Sequence, residues 1–257
     1  MQTVFITGAS SGIGAALAEQ YAKQGATLGL VARRQDLLEQ LRLRLPNPER
    51  HKIYALDVTD HAALSAAARD FIHSVGTVNV VIASAGISVG TLTEYDEDIP
   101  IFARVMEINL LATVASFAPF IAEMKKYAFQ EPCRLVGIAS VAGIRGLPGA
   151  EAYSASKAAV ISYCESLRVE LKSSGIRVVT IAPGYIDTPM TKVNTYAMPF
   201  LMPVDKFAVA AVNAIAAGVT YRVIPWQMGG VAKLLRSLPN WLYDYVFSKV
   251  PHKARSE

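Results

Sequence analysis

The chain has 257 residues, of which 52% are hydrophobic and 18% are charged, and its formal net charge is +4. This composition suits a single α/β domain over residues 1–257 with a large apolar core, and it excludes a disordered chain. The basic residues are scattered, so we predict no nucleic-acid partner. The four His residues lack metal-ligand spacing, so we predict no metal.

The apolar runs favour a soluble, cytoplasmic protein. A strand-like run begins at Thr3, so no signal peptide is expected. The longest apolar stretch, 110–122, is too short to span a bilayer and contains Pro119. Cys133 and Cys164 fall within apolar runs and are expected to be buried and reduced.

A glycine-rich turn follows the first strand and leads into a helix. This order is typical of dinucleotide-binding proteins, in which a pyrophosphate meets the positive end of the helix dipole. Gly8 permits the tight turn, Gly12 lets the backbone approach the pyrophosphate, and Gly14 allows the helix to pack closely on the strand. An isolated Gly-x-Gly usually marks only a turn, but its position here favours a cofactor site. The residues predicted to contact the cofactor are Gly8, Ser10, Ser11, Gly12, Ile13 and Gly14.

The second predicted strand, 26–32, ends in Arg33 and Arg34. Enzymes that use NAD carry an acidic residue near this point, whereas arginine accommodates the 2′-phosphate of NADP. We therefore predict NADP(H), with Arg33 as the phosphate clamp and Arg34 stacked on the adenine. A solvated arginine pair at the start of a helix, 35–45, is the alternative interpretation, and NAD(H) is the alternative cofactor.

Two further strands are predicted at 51–56 and 78–83, the second apolar throughout, as in a parallel strand covered on both faces. Asp57 and Val58 follow the first of them. The Asp57 carboxylate either accepts a hydrogen bond from the adenine or caps the next turn. The small residues that follow the second strand, where a cofactor can lie, are Ser84, Ala85 and Gly86.

Tyr153 and Lys157 are four residues apart, so they share one face of a predicted helix. A phenol with a pKa of about 10 is a poor acid–base catalyst at neutral pH, and a neighbouring ammonium lowers that pKa. Ser140 follows a strand-like run, 134–139, and its hydroxyl can hydrogen-bond the same reacting oxygen. Such a site can protonate a carbonyl oxygen or deprotonate an alcohol while a hydride moves. Asn109 lies in an apolar helix, and the residues alone favour a core amide bonded to nearby backbone.

A sixth strand, 176–182, is broken at its carboxyl edge by Pro183 and Gly184. The apolar segment 185–203 has no clear period, and it is either a lid over an apolar substrate or a loop packed on the protein or on another subunit. A helix at 204–217 and a strand at 221–224 follow.

The extension from about 229 to 257 is expected to pack on the fold or to form a subunit contact, in preference to resting on a membrane. Strands alternate with helices along the whole chain. We therefore predict a single-domain Rossmann fold, a doubly wound and mostly parallel seven-stranded sheet with helices on both faces.

In these motifs the chain resembles the short-chain dehydrogenase/reductase family, in its compact single-domain branch, over nearly its whole length. One departure is Ser84, where the family usually has Asn; it concerns a hydrogen bond that braces the middle of the sheet, and not the chemistry. The motifs that carry the resemblance are Thr7-Gly-x-x-x-Gly-x-Gly14, Asp57, Ser84-Ala-Gly86, Asn109, Ser140, Tyr153-x-x-x-Lys157 and Pro183-Gly184…Thr188.

The resemblance implies a role for each catalytic residue. Tyr153 is the general acid in reduction and the base in oxidation, and Ser140 polarises the substrate carbonyl. Lys157 lowers the pKa of Tyr153 and binds the nicotinamide ribose. Asn109 holds a water in a proton relay through Lys157, which replaces the core interpretation of that residue.

The resemblance also implies that Ile186 and Thr188 contact the nicotinamide carboxamide. It further implies a homodimer or homotetramer built on the helices that contain Asn109 and Tyr153. The predicted function is NADP(H)-dependent hydride transfer between nicotinamide and a carbonyl or secondary alcohol of an apolar small molecule. The alternatives are an NAD(H)-dependent alcohol dehydrogenase, a non-catalytic dinucleotide-binding redox sensor, and a lipid or sterol enzyme that its tail anchors at a membrane surface.

Overall fold

The computed structural model describes residues 2–194, 196–248 and 255. The strands are β1 (Thr3–Thr7), β2 (Thr27–Ala32), β3 (Lys52–Ala55), β4 (Val80–Ala83), β5 (Arg134–Ile138), β6 (Arg177–Pro183), β7 (Ile186–Asp187), β8 (Met202–Pro203) and β9 (Tyr221–Ile224). The α-helices are α1 (Gly12–Lys23), α2 (Gln35–Arg44), α3 (His61–Val75), α4 (Asp98–Met106), α5 (Ala112–Met124), α6 (Glu151–Glu170), α7 (Pro189–Lys192), α8 (Val204–Ala216), α9 (Trp226–Ser237) and α10 (Asn240–Phe247). A π-helical turn, Glu107–Leu111, joins α4 to α5.

The main sheet has seven parallel strands in the order β3-β2-β1-β4-β5-β6-β9. The chain runs outward from β1 to β3 and then returns to place β4 on the other side of β1. In sheets of this kind, ligands bind at such a reversal, outside the carboxyl ends of the strands. The predicted seven-stranded doubly wound fold is confirmed, and the main sheet is parallel throughout.

The central strand β1 is buried over its whole length, which explains its unbroken apolar sequence. Successive side chains of a strand point to opposite faces of the sheet. Val4 and Ile6 therefore join the core on the side of α1 and α8, while Phe5 joins the core on the side of α3 and α5. The rings that Phe5 meets, with centroid separations of 6.0, 5.6 and 5.0 Å, are Tyr54, Phe71 and Phe120.

Two strands are shorter than predicted because, where each was expected to begin, a side chain instead of a backbone carbonyl accepts the hydrogen bond from the neighbouring strand. At the start of β3, the backbone N–H of Leu28 donates to Nδ1 of His51 at 3.2 Å. At the start of β4, the backbone N–H of Thr3 donates to Oδ1 of Asn79 at 2.9 Å. β3 is the predicted strand 51–56 without His51 and Leu56, and β4 is the predicted strand 78–83 without Val78 and Asn79.

The helical run Asp98–Met124 is longer than the apolar stretch read from the sequence. An 18-residue window of this run has a mean hydropathy of 1.6, so the run is long and apolar enough to span a membrane by length and composition, and the expectation that the longest apolar stretch is too short to do so is wrong. In the structure Phe117, Phe120 and Met124 of this run are fully buried in the domain core. Burial in the core therefore accounts for part of its apolar composition, since 44% of the apolar window is buried while Ile99 and Leu111 are exposed.

The extension packs on the domain through Arg145. The guanidinium of Arg145 donates to the carbonyl oxygens of Leu235 and Leu238, and it lies 3.9 Å from the centroid of the Tyr243 ring. The Tyr243 hydroxyl donates to the carbonyl of Gly146. The rest of the predicted extension after residue 248, apart from Arg255, lies outside the described residues.

Two glycine substitutions test the packing of this fold. A Cβ on Gly29 of β2 would lie 2.7 Å from the Phe5 ring and 2.9 Å from the Phe71 ring. We expect Gly29→Ala to lower the free energy of unfolding by about 1–3 kcal/mol through overpacking. Gly230 in α9 is exposed with nothing within 4 Å, so Gly230→Ala should raise it by up to about 1 kcal/mol. Urea unfolding measures both changes in the free energy of unfolding. An unchanged urea midpoint for Gly29→Ala would show that the Phe5 and Phe71 rings can accommodate the added methyl group.

Candidate active site

A cavity of about 250 Å³ lies at the carboxyl ends of the central strands, where the strand order reverses. Because these strands are parallel, the loops that follow them meet at this edge. Every residue predicted to contact a cofactor lines this cavity, and so does Ser140. In chain order the predicted lining residues are Gly8, Ser10, Ser11, Gly12, Ile13, Gly14, Arg33, Arg34, Asp57, Val58, Ser84, Ala85, Gly86, Ser140, Tyr153, Lys157, Pro183, Gly184, Ile186 and Thr188.

Sequence reasoning did not assign a second group of lining residues individually, although Pro189, Met190 and Thr191 fall within the predicted substrate segment, 185–203. Most of them are apolar, and each lies at most three positions from a predicted one. These residues could therefore have been predicted from their position next to a motif at the end of a strand. They are Ala32, Leu56, Ile87, Ile108, Ile138, Ala139, Pro189, Met190 and Thr191.

The glycine-rich turn is held tightly between α1 and the loop after β4. Gly8 has a φ of 70°, and a Cβ on it would lie 2.8 Å from the backbone of Ala85. A Cβ on Gly14 would lie 2.2 Å from the carbonyl oxygen of Gly8, so only glycine lets α1 fold back over the turn. The side chain of the N-cap residue Ser11 does not cap α1, and its first turn holds no acidic residue. The N-terminal N–H groups of α1 can therefore receive an anionic ligand.

The two arginines after β2 make different contacts at the rim of the cavity. Nη2 of Arg34 donates to the hydroxyls of Ser10 and Ser11 at 3.2 and 3.1 Å. Nη1 of Arg33 lies 3.8 Å from Oδ2 of Asp57, and both side chains are exposed to solvent. Arg34 is therefore not only a solvated residue at the start of α2, because it hydrogen-bonds the glycine-rich turn.

Asp57 caps the turn that follows β3. Its Oδ1 accepts hydrogen bonds from the backbone N–H and the hydroxyl of Thr59, at 3.0 and 2.9 Å. Burial raises the pKa of the Asp57 carboxyl, but the bonds from Thr59 and the charges of Arg33 and Arg104 outweigh it, and the pKa is lowered. Of the two sequence interpretations, the capping contact is present, and the contact with adenine stays a prediction.

Ser140, Tyr153 and Lys157 come together at the end of β5. The Ser140 hydroxyl hydrogen-bonds the Tyr153 phenol, and its oxygen also accepts from the backbone N–H of Ala142 at 3.1 Å. Nζ of Lys157 donates to the carbonyl oxygen of Ile138 at 2.8 Å and lies 5.8 Å from the centroid of the Tyr153 ring. The spacing of Tyr153 and Lys157 on α6 thus places both side chains in the cavity.

Burial controls the protonation of both catalytic candidates. It raises the pKa of the Tyr153 phenol, and the hydrogen bond with Ser140 opposes this only in part. Desolvation lowers the pKa of Lys157 from 10.5 to about 8. Burial outweighs the other contributions because both groups lie in a poorly solvated recess, and a lowering of the Tyr153 pKa by the Lys157 ammonium stays a prediction.

Asn109 is fully buried in the π-helical turn and lies behind the cavity wall. Its Oδ1 accepts from the backbone N–H of Ile87 at 2.9 Å, and its Nδ2 donates to the Ile87 carbonyl and the Ser156 hydroxyl at 3.0 and 2.9 Å. The core interpretation drawn from the residues alone is thus what the structure shows. A role in a water-mediated relay stays a prediction.

Ser84 stands where the family usually has an Asn that braces the middle of the sheet. In this structure another side chain makes a contact there. The hydroxyl oxygen of Thr7, at the end of β1, accepts from the backbone N–H groups of Ser84 and Ala85 at 3.2 and 3.3 Å. This contact links β1 to the loop after β4 at the reversal of strand order.

The predicted substrate segment, 185–203, is partly ordered by short elements. β7 pairs in parallel with β8, with Ile186 opposite Met202. Thr188 and Thr191 form a reciprocal cap at the start of α7. Met190 lines the cavity, whereas Thr195 lies outside the described residues. A lid function for this segment stays a prediction.

The chain matches known proteins over most of its length. The sequence profile of the short chain dehydrogenase family matches residues 2–198. An oxidoreductase of Myxococcus xanthus (strain DK1622) is 32% identical over 244 residues, which cover 95% of each chain. The 3-ketoacyl-(acyl-carrier-protein) reductase from Brucella melitensis, solved with NADH, has a TM-score of 0.79 at 26% identity and covers 87% of this chain and 96% of its own. An alcohol dehydrogenase from Thermococcus sibiricus, solved with 5-hydroxy-NADP, has a TM-score of 0.75 at 25% identity over the same shares.

A doubly wound sheet with a glycine-rich turn at its reversal point defines a dinucleotide-binding fold. The chain belongs to the short-chain dehydrogenase/reductase family, and it is an oxidoreductase of that family, whose fold binds NAD(H) or NADP(H).

The lowered pKa of Lys157 has a consequence for stability. Between a pH of about 8 and 10.5 the unfolded chain binds more protons at this residue than the folded chain does. The Lys157 contribution to the free energy of unfolding should therefore rise with pH across that window, by about 3 kcal/mol in all. We expect the free energy of unfolding of wild type, relative to that of Lys157→Met, to increase as the pH rises. Urea unfolding at several pH values measures this difference. The exposed Lys126→Met variant is the control, and a flat difference for Lys157→Met would contradict the shift.

Proposed function

We propose that this protein is an NADP(H)-dependent oxidoreductase that transfers a hydride between nicotinamide and a carbonyl or secondary alcohol. The observation that carries the proposal is the hydrogen bond between Ser140 and Tyr153, with Lys157 beside it, at one end of the dinucleotide cavity. Arg33 and Arg34 lie at the rim of the same cavity.

The residues of the cavity fit a nicotinamide dinucleotide. The uncapped N-terminus of α1 and the glycine-rich turn would hold the pyrophosphate. Lys157 would bind the nicotinamide ribose, and Ile186 and Thr188 would bind the carboxamide. The cofactor supplies the hydride in reduction and accepts it in oxidation.

The protein contributes the proton and the orientation of the substrate. In reduction, Tyr153 Oη donates its proton to the carbonyl oxygen while Ser140 donates a hydrogen bond to the same atom. The raised pKa of Tyr153 keeps the phenol protonated at neutral pH, which is the form that donates a proton in reduction. In oxidation Tyr153 must lose that proton, and a charged Lys157 stabilises the phenolate.

The contacts of the arginines support NADP(H). Arg34 and the hydroxyls of Ser10 and Ser11 form a group of donors beside the ribose position, which suits a 2′-phosphate. Arg33 adds a second guanidinium at the end of β2. NAD(H) is the second candidate, since Asp57 partly neutralises Arg33 and the Brucella melitensis relative was solved with NADH.

An apolar substrate is supported by the substrate segment. Met190 lines the cavity, and Val193 of the same segment is exposed. These side chains can cover an apolar ketone or alcohol. We further propose a cytoplasmic homodimer or homotetramer, supported by the exposed apolar side chains Leu111 and Val169 at and near the predicted interface helices.

Removal of the phenol hydroxyl tests the catalytic proposal. We expect Tyr153→Phe to lower kcat by at least about 10²-fold, because the proton donor is lost, while the Kd for the cofactor changes little. Tyr163→Phe on the same helix, whose ring stacks on Phe117 outside the cavity, is the matched control and should retain activity. Turnover with a panel of apolar ketones and cofactor titration by fluorescence give both quantities. Retained turnover by Tyr153→Phe would refute the assignment of the acid.

Charge removal at the rim tests the cofactor. We expect Arg33→Ala and Arg34→Ala each to weaken NADPH binding about tenfold or more, and NADH binding only slightly, because a charge-assisted bond to phosphate is lost. Arg44→Ala, on the exposed end of α2, is the control. Parallel fluorescence titrations with NADPH and NADH measure the effect, and equal weakening for both cofactors would place the phosphate elsewhere.

A further inference from the structure

Both tryptophans of the chain are exposed on its last two helices. Trp226 on α9 is 76% exposed, and Trp241 and Tyr245 on α10 are 71% and 73% exposed. Leu234 and Val246 beside them are exposed as well. Tryptophan is highly buried on average, so a group of exposed large apolar side chains marks an interaction surface. We call these five residues the aromatic face.

On α9, the aromatic face lies opposite the side that packs on the domain. Lys233 and Leu234 are seven and eight residues after Trp226, about two helical turns, and all three are exposed on the outer half of the helix, with Lys233 nearly in line with Trp226. Met228 and Ala232 are buried on the other side of the helix. The helix is therefore amphipathic, with a packed inner side and an apolar outer side.

On α10, Trp241 and Tyr245 are one turn apart and exposed, whereas Tyr243 is buried. The Arg145 guanidinium stacks on the ring of Tyr243 and also binds the carbonyl oxygen of Leu238 between the two helices. The inner sides of α9 and α10 thus meet at Arg145, which leaves their outer sides to solvent. The sequence analysis gave packing on the fold and contact with another surface as alternatives for this extension. In the structure the inner sides of both helices pack on the fold, and their outer sides are exposed for a contact with another surface.

The charge of this segment is complementary to an anionic surface. From residue 226 to the last residue, the chain carries five Lys or Arg residues and two acidic residues, whereas the whole chain has a net charge of only +4. Lys233 and Arg236 on α9 are exposed, and Asp244 is the exposed acidic residue of α10. Arg255 is engaged by the buried carboxylate of Asp98 at 2.9 and 3.1 Å.

We propose that the aromatic face binds the surface of a membrane that contains anionic phospholipids. Trp and Tyr side chains favour the interface between headgroups and acyl chains, and nearby Lys and Arg residues are attracted to anionic lipid. A second copy of the chain fits less well, because a two-fold contact through this face would bring together two surfaces that each carry more basic than acidic exposed residues. The contact is peripheral, since the helices lie on the membrane and do not cross it.

Vesicle binding tests the proposal directly. We expect the full-length protein to co-sediment with phosphatidylcholine vesicles that contain about one-third phosphatidylserine, and to bind phosphatidylcholine alone at least about tenfold more weakly. Tryptophan emission should shift to shorter wavelength on binding, because both tryptophans belong to the face. High salt should reverse the binding.

Paired variants separate the aromatic from the basic contribution. Trp241→Ser with Tyr245→Ser should weaken binding to the anionic vesicles at least about tenfold by removing interfacial anchors. Lys233→Glu with Arg236→Glu should abolish the preference for phosphatidylserine, since each basic residue contributes roughly fivefold. Phe129→Ser, at a site that is 75% exposed outside the face, is the matched control and should bind as wild type.

Three results would overturn the proposal. The first is the absence of both co-sedimentation and an emission shift with either lipid composition. The second is an equal loss of binding in Phe129→Ser, which would mean that any exposed ring suffices. The third is a wild-type oligomer that Trp241→Ser with Tyr245→Ser dissociates in size-exclusion chromatography, which would assign the face to a second copy. Circular dichroism of each variant confirms that it is folded.

Discussion

The structure depends on the close approach of the glycine-rich turn to the loop after β4. A Cβ on Gly8 would lie 2.8 Å from the Ala85 backbone, so the two loops touch only because Gly8 lacks a side chain. Thr7 secures this contact with its hydroxyl, and Ile87, two residues beyond Ala85, is held by Asn109. This approach brings the two halves of the sheet together at the edge where the cavity forms.

From that contact a chain of hydrogen bonds reaches α6, the helix that carries Tyr153 and Lys157. Asn109 binds both backbone groups of Ile87 and donates to Ser156, which precedes Lys157 on α6. The amide therefore positions the loop that borders the cavity relative to the helix that carries Tyr153. The π-helical turn around Asn109 permits this orientation, and such turns occur frequently at functional sites.

The cavity disfavours charge on Tyr153 and Lys157 and favours an anionic ligand. Burial shifts the pKa of Tyr153 upward and that of Lys157 downward, so both groups are driven toward their neutral forms. The uncapped end of α1 and the two guanidiniums at the rim supply positive potential at the other end of the cavity. An anionic ligand in the cavity would favour the charged form of Lys157 and so offset its desolvation.

The sequence by itself determined the fold and most of the residues that line the cavity, because strand burial, helix periodicity and glycine-rich turns are patterns of neighbouring residues. The order of the motifs was enough to place Ser140, Tyr153 and Lys157 in one cavity and to predict most, but not all, of its lining. Only the tertiary structure decided what each polar group contacts and how it titrates. Asn109 meets Ser156 across 47 positions of the chain, and the pKa of Tyr153 rises because of its surroundings in space. The exposure of both tryptophans was likewise decided by which sides of α9 and α10 pack against Arg145, a contact between segments about 90 residues apart that no local pattern encodes.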